Sequence, residues 1–162
     1  MLRRSLAALL LIVLGAPAGV ALHLVTATGD TMFAGKRPDY LGVKDGRLAR
    51  PRSTPNCVSS QAEASDAEHY IAPIPFKGAP LEAIAAAKEA VEGTRGATVI
   101  RHEGSYLYAE FKSKWMGFVD DVEFTYDEKA GLLHVRSASR LGWRDYGVNR
   151  ERVEALRSRI KK

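Results

Sequence analysis

Residues 97–140 read ATVIRHEGSYLYAEFKSKWMGFVDDVEFTYDEKAGLLHVRSASR, and the spacing of apolar side chains along them decides the fold. Four runs, at 97–103, 106–113, 118–126 and 132–140, alternate apolar or aromatic side chains with polar ones. That two-residue period belongs to strands with one face on a core. Only Gly104 and Ser105 separate the first two runs, a pair suited to a tight hairpin, and Asp127-Glu128-Lys129-Ala130-Gly131 makes a longer turn before the last. Consecutive hairpins predict an antiparallel meander.

Upstream, Pro80 suits the first position of a helix and Glu82 its positive end, while Leu81, Ile84, Ala87, Lys88 and Val91 keep helical spacing until Gly93. Before it, Tyr70-Ile71-Ala72-Pro73-Ile74 alternates briefly and is followed by Pro75, as in an edge strand, and residues 57–69 read as a polar loop. Downstream, Asn149 is the expected cap of a last helix, with Val148 packing on Val153, and Val153, Leu156 and Ile160 form its buried stripe. The order β-α-β-β-β-β-α predicts an α+β domain: an antiparallel sheet of four to five strands with two helices on one face. One repeat of the TATA-binding-protein-like architecture has this shape, and a helix-grip fold is the alternative.

The rest of the chain divides by composition. Arg3 and Arg4 precede residues 5–25, a run of 21 positions without Asp, Glu, Lys or Arg; about 20 apolar residues suffice to cross a bilayer as a helix. Residues 1–25 therefore read as an apolar helix that is a membrane anchor or a signal, with Ala16-Pro17-Ala18 as a candidate cleavage site. The positive-inside rule puts the remainder of the chain across the bacterial inner membrane, in the periplasm, either anchored or released there. Residues 26–55, rich in Gly, Pro, Asp, Arg and Lys, read as a polar spacer, and 56–162 as the single domain.

Charge and cysteine usage exclude several function classes. The net charge of +5 comes from Arg3, Arg4 and a basic last helix; residues 26–148 carry sixteen basic and seventeen acidic side chains. A nucleic-acid partner requires a basic stripe with interleaved aromatics, which is missing. Cys57 is the only cysteine and the four histidines are scattered, so neither an internal disulfide nor a metal site is expected, and no cofactor motif occurs.

Alternation sorts the polar residues of the meander into two groups. Asp120 falls on the apolar face with Phe118, Val122 and Phe124, where Ser137 and Ser139 of the next strand are the expected hydrogen-bond donors. Asp121, Glu123, His134, Arg136 and Arg140 take the opposite face, read as a solvated surface of cross-strand charge pairs. Arg136 and Arg140 lead toward Asp145, Asn149 and Arg150 at a helix N-terminus, a pattern suited to a carboxylate or phosphate. Cys57 and Ser59 follow a Pro-Asn turn and complete the set of candidate ligand-binding residues. No nucleophile elbow, phosphate-cradling loop or His-Glu-x-x-His stretch is present.

Three stretches resemble one known family: Asn56-Cys57-Val58-Ser59-Ser60, Phe118-Val119-Asp120-Asp121-Val122-Glu123-Phe124, and residues 134–153 with Gly142, Asp145, Gly147 and Asn149. Together they are similar to domain of unknown function fourteen ninety-nine, over residues 56–162. The resemblance implies a small, often membrane-anchored envelope or plastid protein and brings no activity with it. The expected function is a non-catalytic module that binds a small anionic or lipid-like ligand or docks on a membrane-protein partner. The alternative is an enzyme using Asp120, Asp121, Arg136 and Arg140.

Overall fold

The four alternating runs form the strands expected of them. The computed structural model describes residues 33–160, so the apolar run at 5–25 lies outside the described residues. The elements are β1 (Cys57–Ser59), β2 (Ile74–Pro75), α1 (Pro80–Glu92), β3 (Ala97–Glu103), β4 (Tyr106–Lys112), β5 (Val119–Asp127), β6 (Leu132–Ser139) and α2 (Val148–Arg159). They make one antiparallel sheet of six strands in the order β1-β6-β5-β4-β3, with β2 also on β6.

The extra strand is β1, read from sequence as loop. Its three residues are too few for a period to register, and what makes them a strand is a distant partner, with Cys57 opposite Ala138. The expected edge strand at 70–74 shrinks to Ile74 and Pro75, while Tyr70 makes only an isolated parallel bridge to Ser59.

Both helices cover the same face. Ile84, Ala87 and Val91 of α1 and Val153 and Leu156 of α2 share one core with Leu107, Val122, Phe124, Leu133 and Val135 of the sheet. Pro80 starts α1 as expected, and Glu82 Oε2 accepts the backbone N–H of Ala79 at 2.9 Å. The start of α2 differs from expectation. Gly147, at φ 89°, occupies the cap position, and Asp145 does the capping, accepting the N–H of Gly147 at 3.1 Å and of Asn149 at 2.8 Å. Asn149 is thus already helical, and its side chain is free to turn into the sheet. Val148 is exposed rather than packed as a staple.

The opposite face is buried too, which corrects the solvated reading. Residues 33–55, a strap with little regular structure, run across it and bury Leu48 against Tyr106 and Tyr108. Glu123 is 0% exposed and Arg136 1%. The strap lies close enough to demand glycine at one point: a Cβ on Gly35, at φ +67°, would meet Arg140 Cβ at 3.0 Å and Leu141 Cγ at 3.1 Å.

Candidate functional site

Beneath the strap, side chains of β4, β5 and β6 form an ionic layer. Glu123 Oε1 accepts Tyr106 Oη and the backbone N–H of Gly42, both at 2.8 Å, and Oε2 accepts Arg136 Nη1 at 3.1 Å. Asp121 Oδ1 accepts Tyr108 Oη at 2.6 Å and Arg140 Nη2 at 2.7 Å, and Oδ2 accepts Arg140 Nε at 3.0 Å. Glu110 accepts Arg140 Nη2 and, at 2.7 Å, Arg37 Nε from the strap. Burial, then the neighbouring carboxylates, pushes the Tyr106 and Tyr108 hydroxyls well up, so both remain donors. Burial also acts to raise Glu110, but hydrogen bonds from Arg140, Arg37 and Tyr108 outweigh it and hold the carboxyl below its ordinary range. The Arg136 guanidinium lies 5.5 Å from the Tyr40 ring centroid, and its buried Nε has no hydrogen-bond partner among the described residues.

Arg136 and Arg140 are therefore engaged internally, and Arg150 is elsewhere. On α2 it donates to the carbonyls of Tyr70 at 2.8 Å, Glu68 at 3.0 Å and Ala67 at 3.2 Å. The fold does not assemble these three arginines into one anion site, because alternation identifies which strand residues share a face and carries no information about what covers it.

On the helix-covered side, Asp120 meets Arg152 of α2 at 2.5 Å instead of the two serines. Ser137 and Ser139 bond to Asn149, whose Nδ2 also donates to the Asn56 carbonyl at 3.0 Å. Asn149 is completely buried and joins the entry to β1, the end of β6 and the first turn of α2. Neither Arg152 nor Asn56 is among the candidate ligand-binding residues read from sequence. Helical spacing held a signal for Arg152, three positions beyond Asn149; Asn56 opens a stretch that carries the family resemblance, but nothing local pointed to its partner, the Gly142 carbonyl, to which its Nδ2 donates at 2.6 Å.

The nucleophile candidates are similarly occupied. Cys57 is buried, its Sγ nearest polar partner is the Val58 carbonyl at 3.7 Å, and burial pushes the thiol up despite the opposing field of Arg136. Ser59 Oγ accepts the N–H of Gln61 at 3.2 Å. Ser60 Oγ and His134 Nδ1 are 3.2 Å apart, but the same oxygen accepts the Val135 N–H at 2.9 Å, and among the described residues no carboxylate bonds to the other ring nitrogen. Burial shifts His134 down, favouring the neutral ring. His69 pairs with Asp66 at 2.8 Å, and its Nε2 faces the Thr54 carbonyl at 3.2 Å. Among the described residues no group of His, Cys, Asp or Glu is placed to hold a metal ion.

Several clefts remain open, and two of them meet at the end of the sheet where β4 turns into β5 and β6 runs into α2. A cleft of about 340 Å³ lies between these loops, walled by Phe118, Leu141, Tyr146 and Val148, with Asp120, Ser139 and Asp145 around its polar part. A second, of about 320 Å³, lies on the β1 side and reaches Cys57, Tyr146 and Arg150. Arg144 borders both. Asp120 is neutralised by Arg152, and both Asp145 oxygens accept backbone N–H groups. Arg144 is exposed and has no side-chain partner among the described residues; it shares the cleft with the Asp145 carboxylate, which accepts backbone N–H groups and no cation's ion pair there.

Among known proteins, no curated protein and no solved structure matches the chain. One family does match, over residues 47–160, a span that starts within the strap and takes in the whole sheet and both helices. The chain belongs to that family, described as Protein of unknown function (DUF1499).

Proposed function

We propose that the protein is a membrane-tethered, non-catalytic module that binds an amphipathic anion, such as a lipid-like molecule, in the cleft between the 113–118 turn and the 139–148 connection. The observation that carries this reading is the cleft's composition: aromatic and aliphatic walls with Arg144 at the rim as an exposed cation that no side chain of the described residues engages. Apolar walls with a few placed polar groups are what a small-molecule site requires. The tether is the uncharged run at 5–25, and Arg3 and Arg4 ahead of it orient the domain toward the periplasm of a bacterial inner membrane. The non-catalytic reading draws support from Asp120, Asp121, Arg136 and Arg140, whose charged groups already bond one another or Arg152 and Glu123.

Titrating the full chain in a non-ionic detergent with a lysophosphatidic acid tests the site. Saturable binding is expected, weakened about tenfold, or about 1.4 kcal/mol, in Arg144→Gln. Unchanged affinity in that variant defeats the cleft. A reporter that works only in the periplasm, fused after Lys162, is expected to be active; silence in the periplasm defeats the orientation.

A further inference from the structure

Among the described residues, six of the ten exposed large hydrophobic side chains gather at the loop end of the sheet. Trp115 and Met116 tip the β4–β5 turn, at 69% and 50% exposed; Leu141, Trp143, Tyr146 and Val148 lie on or beside the β6–α2 connection, with Trp143 at 68% and Tyr146 at 88%. The 340 Å³ cleft is lined by Ser113 and Phe118 at the feet of the first loop and by Leu141, Tyr146 and Val148 of the second, so the two loops flank one opening. Single exposed hydrophobes are ordinary, but a contiguous group marks a contact surface. The backbone adds a second sign. Tyr146 sits at φ 55°, a region that a bulky residue rarely enters, and the strained position holds its ring out in solvent.

The chemistry of the patch and the path of the chain identify what covers it. Lys114 lies 4.7 Å over the Trp115 ring, and Arg144 and Lys112 stand exposed nearby. Tryptophan and tyrosine rings with flanking lysine and arginine are the side chains that favour the headgroup layer of a bilayer. Phe33, the first described residue, packs its ring 5.2 Å from that of Phe118 at this same end. The uncharged run ends at residue 25, and eight residues of extended chain span less than about 30 Å.

We infer that the loop end seats on the bilayer surface, with Trp115, Met116, Trp143 and Tyr146 entering the headgroup region and the flanking cations meeting lipid phosphates. This inference rests on the tether proposed above, and it opens the ligand cleft toward the lipid.

Trp115 and Trp143 are the only tryptophans of the chain, so its indole fluorescence reports this face alone. The full chain, reconstituted in vesicles of phosphatidylethanolamine and phosphatidylglycerol, is compared with and without lipid brominated near the headgroup end of its acyl chains. Bromolipid is expected to quench the emission at least twofold, and aqueous iodide to quench it little. Met116→Glu combined with Tyr146→Glu is expected to reverse both effects without lowering the melting temperature, since both side chains are exposed. Full iodide quenching without bromolipid quenching, in protein that still floats with the vesicles, overturns the docking and leaves the tether standing. Shielding from iodide without bromolipid quenching means that a second copy or another protein covers the face, and also overturns it. So does bromolipid quenching that persists in the double variant. Protein that does not float with the vesicles defeats the tether and this inference together.

Discussion

On one face of the sheet Leu107, Val122, Phe124 and Leu133 pack under two helices; on the other, the same strands bury Tyr108, Asp121, Glu123 and Arg136 as deeply under residues 33–55. The two burials differ in kind. Apolar packing is non-directional and scales with area, so several placements of a helix satisfy it nearly as well. Buried charges tolerate no such freedom, because each carboxylate needs donors at hydrogen-bond distance. Gly42 and Arg37 of the strap supply donors to Glu123 and Glu110. The ionic face thereby holds a segment of little regular structure in one register, which an oily face cannot do.

Removing the strap tests this most severely. A chain beginning at residue 50 loses Leu48 from its pocket and the Gly42 and Arg37 donors; the expected loss is on the order of 5 kcal/mol, from one buried leucine and its charge-assisted hydrogen bonds. Urea unfolding measures it. A loss below about 1 kcal/mol would mean that the two faces are not comparable.

A matched pair of substitutions sharpens the contrast. Arg136→Gln strands Glu123 without its cation and should cost about 3–5 kcal/mol, whereas Leu133→Ala on the other face opens a cavity at about 2–5 kcal/mol. The costs overlap, but their rescue differs. Adding Glu123→Gln to Arg136→Gln should restore part of the loss, and no polar change should rescue Leu133→Ala. Denaturant melts of the double-mutant cycle read the coupling.

At the junction of the two faces, Asp145→Ala removes the acceptor for two backbone N–H groups at the start of α2. The cost expected of a lost helix cap is about 0.5–2 kcal/mol. Hydrogen exchange should show the opening confined to the first turn of α2.

The smallest effect is the dependence on acid. Glu110 has a folded-state pKa below its ordinary value of about 4.3. A lowered carboxylate contributes stability that is present above the unfolded pKa and is lost as pH falls through the folded one. The wild type should therefore lose melting temperature below about pH 4 more steeply than Glu110→Gln. Because Arg37 is half-exposed, solvent screens much of the gain, and the difference should be a few degrees at most. Parallel acid profiles would mean that Glu110 does not help to hold the strap.

Much of the site was legible as composition and little of it as arrangement. Alternation assigned Asp120 to the core side and Asp121 to the other, and the structure keeps both there, each paired with an arginine. The partner of Asp120 was misread as serine because the nearest donors along the sheet are Ser137 and Ser139, whereas Arg152 arrives from a helix 32 positions away. The helix cap was misread for a related reason. Asn149 and Asp145 both suit the role, and the choice fell to Asp145 only because Ser137, Ser139 and Asn56 draw the Asn149 side chain into the sheet.

The meander, both helices and the set of inward-facing apolar residues were dictated locally, since they depend on neighbours two to four positions apart and on turn chemistry. Three outcomes waited on the folded chain: that the second face is covered, that Cys57–Ser59 is a strand, and which arginine serves which carboxylate. They rest on contacts such as Gly42 with Glu123, 81 positions apart, and Asn149 with Asn56, 93 apart. A period along the chain reports which way a side chain points; whether water or a distant segment lies there is set by where that segment folds.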